Sequence, residues 1–82
     1  MSDLKPISKS DLIEIANHEI VKHEQYIEGL KVTDVVEKDS VLIFKGEYFL
    51  DASGLPTSKT TVAFNLYKFL AHVMSKEYTL KD

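Results

Sequence analysis

Eighty-two residues, 44% hydrophobic and 28% charged, have the composition of one small folded domain rather than of a disordered chain. No cysteine is present, which excludes disulfides and thiolate chemistry, and a chain this short buries only about 60–65% of its unfolded surface, so pairing with a second copy is one of the few ways left to enlarge its core. Residues 1–51 set eleven carboxylates against six lysines and residues 52–82 set two against four, for a net charge of −3, and the absence of Arg weighs against sequence-specific reading of nucleic acid.

The first ten residues lack the apolar centre of a signal peptide, and no run approaches the ~20 apolar residues of a membrane span, so the expected location is the cytoplasm. A first helix is expected over residues 8–28. Ser8 is its N-cap and Asp11 stands three residues in, where a carboxylate suits the helix dipole; Ile7 is placed to staple against Leu12. Leu12, Ile13, Ala16, Ile20 and Ile27 form its apolar stripe, and Gly29 suits the left-handed residue beyond its end.

Residues 30–37 and 41–50 are rich in Val, Ile, Phe and Tyr and flank a short Lys-Asp-Ser turn, the pattern of a β-hairpin. Gly46 within the second strand points to a bulge or to close approach by another backbone. Residues 51–57 are a loop in which Gly54 takes positive φ, Pro56 keeps Leu55 extended, and Asp51 bonds loop amides. Thr57 or Ser58 then caps a second helix that runs to about Glu77. The expected architecture is α+β, in the order α-β-β-α, with an antiparallel hairpin packed by two helices in a single domain spanning residues 1–82.

The second helix is apolar around too much of its circumference. Val62, Ala63, Leu66, Phe69, Leu70 and Val73 fill one core stripe, and Phe64, Tyr67, Ala71 and Met74 continue it to an arc of roughly 220°, against the ~100° that a surface helix needs. Three readings of the extra face stand side by side: core covered by the first helix, a homodimer surface, or a surface for a different partner. The remaining edge, with Lys68, His72 and Lys76, is a solvated face whose cations complement the C-terminal dipole.

Several constellations suggest chemistry and fall short of it. Ser53 to Thr60 resembles a phosphate loop, but the position before Lys59 is Ser58 where glycine is required, and the chain is too short for the parallel sheet behind such a loop. A simpler anion site remains, with Ser58, Lys59 and Thr60 at the free amides of the helix start; the alternative is plain capping. His18 and His23 are five apart rather than four, about 140° around a helix, so they do not share a metal. Asp51 and Ser53 supply too few ligands for calcium, and Glu47 and Asp51 make a carboxylate pair only if a bulge turns both outward.

The segments Gly46-Glu47-Tyr48-Phe49-Leu50-Asp51, Gly54-Leu55-Pro56-Thr57, Phe64-Asn65 and Leu70-Ala71-His72-Val73, with Lys59, His23-Glu24 and Gly29, carry a resemblance. From about Pro6 onward the chain resembles the YciN family of small bacterial proteins, grouped as a domain of unknown function. The resemblance implies a single-domain, cytosolic protein of enterobacterial type; it implies no reaction or ligand and carries over no functional residue. The expected function is therefore a non-enzymatic interaction module without cofactor, metal or membrane association, homodimeric through Phe64, Tyr67, Ala71 and Met74. A weak binder of anions, phosphate or nucleic acid at Ser58, Lys59 and Thr60 is the alternative.

Overall fold

The computed structural model describes residues 4–81; residues 1–3, part of the stretch expected to lack a leader, and residue 82 lie outside it. The elements are β1 (Lys5–Ile7), α1 (Lys9–Ile20), β2 (Val32–Lys38), β3 (Val41–Gly46), α2 (Ser58–Met74) and β4 (Tyr78–Leu80). The α+β class and the antiparallel hairpin between two helices are as expected. A parallel pair, β1 with β4, is added, with Pro6 opposite Thr79. The Thr79 hydroxyl and the Leu80 amide both donate to the Glu37 carboxylate (2.9 and 3.2 Å), which ties this pair to the hairpin.

The start of α1 follows from its cap: the Ser8 hydroxyl accepts the Asp11 amide at 3.2 Å. Its end differs from expectation, because the helix stops at Ile20 rather than near residue 28. The constraint is Asn17, whose side-chain amide pairs with Val32 as a short strand would, donating to its carbonyl (3.0 Å) and accepting from its N–H (2.7 Å). A helix through residue 28 would carry the chain about 16 Å past Asn17, and the few residues left would have to return nearly straight. Instead successive turns bring the chain back, with His23 N–H donating to Ile20 O, Tyr26 N–H to His23 O and Leu30 N–H to Ile27 O. Gly29, with φ 94°, takes its left-handed conformation inside this run rather than at a helix end.

The hairpin turns through Asp39 and Ser40, both at positive φ (52° and 66°), with Lys38 paired to Val41. This is the two-residue turn whose twist matches the strands, built without the glycine that favours it. Leu42 and Phe44 of β3 and Val32 and Val35 of β2 face the core, while Val41 and Ile43 are on the open face. α1 packs on β2 and α2 on β3, and contact between the helices is slight. Beside the hairpin, Lys9 of α1 lies 3.1 Å from Asp34 and, donating to its carboxylate, holds that group below the usual aspartate range.

Of the two alternatives expected at Gly46, a bulge or close approach by another backbone, the structure shows the second. The register slips between Val32 and Asp34, so the irregularity is in the partner strand, and a Cβ on Gly46 would stand 1.9 Å from the Lys31 carbonyl oxygen and 2.7 Å from the Tyr67 hydroxyl. The Lys31 carbonyl also accepts the Glu47 amide at 2.9 Å, so the backbone cannot move away freely. β3 ends here, four residues short of the expected strand, and Phe49 takes a left-handed conformation (φ 56°) with its amide donating to Glu47 Oε2.

Gly46→Ala is expected to lower stability by about 3 kcal/mol or more, because backbone rather than a flexible side chain must yield; urea unfolding followed by circular dichroism measures it. Ser40→Gly is expected to raise stability by about 1 kcal/mol, read as a higher urea midpoint at unchanged slope, by relieving left-handed strain in the turn.

Candidate functional site

α2 begins where two threonines fasten it to the loop before it. The Thr60 side chain is buried; its Oγ1 accepts the Thr57 N–H (2.9 Å) and donates to the Tyr48 carbonyl (2.6 Å). The Thr57 hydroxyl donates to the Phe49 carbonyl (2.8 Å). Thr60 therefore turns inward and does not join Ser58 and Lys59 in an outward-facing anion site. Those two residues border an open concavity of about 480 Å³ that also contains Glu47, and Lys59 Nζ lies 5.7 Å from the centre of the Phe49 ring. A carboxylate among the lining residues opposes the binding of a second anion.

The four residues placed on the extra apolar face of α2 separate into two groups. Tyr67 and Met74 are buried in the chain's own core (4% and 3% exposed), whereas Phe64 is 47% exposed and Ala71 is half-buried. Membership of the outer surface is thereby corrected for Tyr67 and Met74. The Tyr67 hydroxyl donates to the Glu47 carbonyl at 2.7 Å and lies 3.2 Å from that of Lys31, which draws the ring inward. Burial, then the nearby Tyr48 and Glu47, pushes its phenol well above the usual tyrosine range, so it stays a donor. The core stripe is Ala63, Leu66, Tyr67, Leu70 and Met74; Phe69, expected within it, is 40% exposed, with its ring 4.8 Å from that of His23 in an edge contact.

Phe64 and Ala71 form one wall of an open groove of about 270 Å³ between α2 and β3. Val41, Ile43 and Tyr48 line it from the hairpin side, and Lys68 is the one charged residue in its lining. Tyr48 anchors the aromatic end, with ring centres 4.9 Å from Phe64 and 5.2 Å from Tyr67, the latter edge-on. The sequence reading missed Tyr48, Val41 and Ile43 as partners of Phe64. Residues two apart in a strand share a face, which sets Val41 and Ile43 apart from Leu42 and Phe44, but which helix flank they meet depends on how α2 is rotated against the hairpin.

The other candidates are held in structural contacts. Asp51 Oδ1 accepts the amides of Ser53 (2.8 Å) and Leu55 (2.9 Å), as expected of a loop organiser, while Glu47 accepts its own loop amide, so the two carboxylates make no acid–base pair. His18 is exposed on α1 and His23 is in the turn beyond it, with Nδ1 accepting the Gln25 amide (3.1 Å). Among the described residues, no group of three or more His, Asp or Glu gathers as a metal site requires, and no helix is long and apolar enough to cross a membrane.

Comparison with known sequences gives a consistent result. The model of a family described as "Protein of unknown function (DUF2498)" matches residues 3–81. The proteins called "Protein YciN" from Escherichia coli strains K12, O6:H1 and O157:H7 are each 45% identical to this chain over 80 residues, covering 98% of it and 96% of their own length.

Thr60→Val keeps the shape of the side chain while removing an acceptor for the Thr57 amide and a donor to the Tyr48 carbonyl. It is expected to cost about 1–3 kcal/mol of stability in thermal or urea unfolding.

Proposed function

This chain belongs to the DUF2498 family, and on that premise we propose that it is a non-enzymatic protein-interaction module that pairs with a second copy of itself along the groove between β3 and α2. The observation that carries this reading is Phe64. Its ring is 47% exposed beside Tyr48, at the end of a groove otherwise lined mainly by aliphatic side chains. Covering what remains of that ring is worth about 1–2 kcal/mol in each copy, a useful fraction of the stability of a domain this small.

A non-enzymatic role is supported by what the polar groups do. Asp51, Glu47, His23 and Thr60 each bond to backbone of their own chain, and among the described residues no nucleophile, base and orienting group come together. The groove is smaller and more open than the ~300–1,000 Å³ clefts that enclose small ligands, and it has few polar groups to orient one. A second chain laid along it suits its shape better.

Light scattering on a gel-filtration column is the test. A dimer is expected at tens of micromolar, and Phe64→Glu is expected to give a monomer with native circular dichroism, since the side chain is outside the core. A wild-type monomer under those conditions would overturn the reading.

A further inference from the structure

We infer that the outer face of α2 is a docking surface for an acidic helical segment of a different protein, independent of the self-association proposed above. Thr61, Asn65, Lys68, His72 and Lys76 follow one another at three- and four-residue steps, all exposed, so they share one face. Lys76 lies just beyond the end of the helix and still reaches His72. Phe64 borders this face on the groove side, with Lys68 at the boundary. Phe69, also exposed, borders it on the other side, about 140° around the axis.

The charge on this face is unbalanced within the chain. Carboxylates outnumber lysines thirteen to ten overall, yet none occurs between Ala52 and Lys76. Among the described residues the ion pairs are Lys9 with Asp34 and Lys22 with Glu19, and neither involves α2. Lys76 Nζ instead donates to His72 Nε2 at 3.2 Å, an ammonium resting on a neutral base where no carboxylate is in reach. The helix dipole favours cations only around the last turn, which accounts for His72 and Lys76 but not for Lys68.

Opposite charge fits this face, and its layout selects among anionic partners. A bilayer-bound helix buries one continuous apolar face and keeps its cations on the other. Here the cations run between Phe64 and Phe69, so the exposed side has no such face. A nucleic acid would meet a chain of net charge −3 that has no Arg. A helix with carboxylates every four residues repeats the spacing of Lys68, His72 and Lys76, about 6 Å per step. Its neighbouring row can set an apolar side chain against Phe69. Pairs this exposed contribute little individually and are screened by salt, so the expected complex is weak, salt-sensitive and anchored at Phe69.

The probe is an acetylated, amidated helical peptide with Glu at every fourth position, Leu beside it and Ala elsewhere, titrated into the full chain while amide spectra are recorded. It is expected to shift the amides around His72 and to bind at least about tenfold more tightly at about 50 mM salt than at about 500 mM. Lys68→Glu combined with Lys76→Glu is expected to weaken binding at least about tenfold with native circular dichroism, whereas Phe64→Ser, on the groove side, changes it less than about twofold. Absence of shifts, equal binding of a Gln-for-Glu peptide, or tighter binding of oligothymidylate or phosphatidylglycerol vesicles would overturn the inference. So would a change in the light-scattering mass of the free protein on Lys68→Glu with Lys76→Glu, which would give the face to a second copy. A wild-type monomer that binds the peptide would overturn self-association and leave this surface standing.

Discussion

Everything in this fold is arranged around the point where the Lys31 carbonyl, Gly46 and the Tyr67 hydroxyl meet. The approach is so close that no side chain fits at Gly46, and the Tyr67 hydroxyl joins α2 to both strands of the hairpin by reaching the carbonyls of Glu47 and Lys31. One phenolic proton thus joins three segments distant in sequence. It also explains why α2 has its observed rotation. A helix with Tyr67 turned inward must bury Met74 below it and must leave Phe64 and Phe69 toward water. The exposed wall of the groove is the geometric remainder of satisfying that hydroxyl.

The start of α2 applies the same economy of polar groups. Thr57 and Thr60 spend their hydroxyl protons on the carbonyls of Phe49 and Tyr48, the stretch where the chain leaves β3 and passes through a left-handed residue. A left-handed phenylalanine costs about 1–2 kcal/mol, and Glu47 Oε2 and the threonines hold the residues around it. Helix start and strand exit are therefore one unit, so a residue read from sequence as outward-facing and available for a ligand is committed inward to the fold.

Much of the fold was legible because it follows local rules. Ser8 capped the helix it was expected to cap, Gly46 marked a close backbone approach, and Asp51 and Gly54 organised their loop. The misses share a different cause. β1 and β4 are three residues long, too short for any period to show, and they exist because the two ends of the chain meet. The early end of α1 depends on Asn17 reaching Val32, a contact across 15 positions that no local pattern announces. At the groove, periodicity counted Tyr67 and Met74 as surplus apolar residues because it could not weigh the pull of two distant carbonyls on a phenol. Phe64 and Ala71 stayed outward for want of any such partner.

The way the two helices meet the edges of the hairpin has a consequence for uncontrolled strand pairing. A sheet open along both sides can add strands without limit, and repeated addition of that kind leads to fibres. Here Asn17 acts as a terminal cap: its amide imitates the next strand for the length of one residue and occupies the place where a real one would begin. On the other edge the Ser75 hydroxyl, at the end of α2, holds the Leu42 amide at 2.9 Å, so each helix lends one polar side chain to blunt the strand it packs on against the unlimited strand addition that ends in fibres.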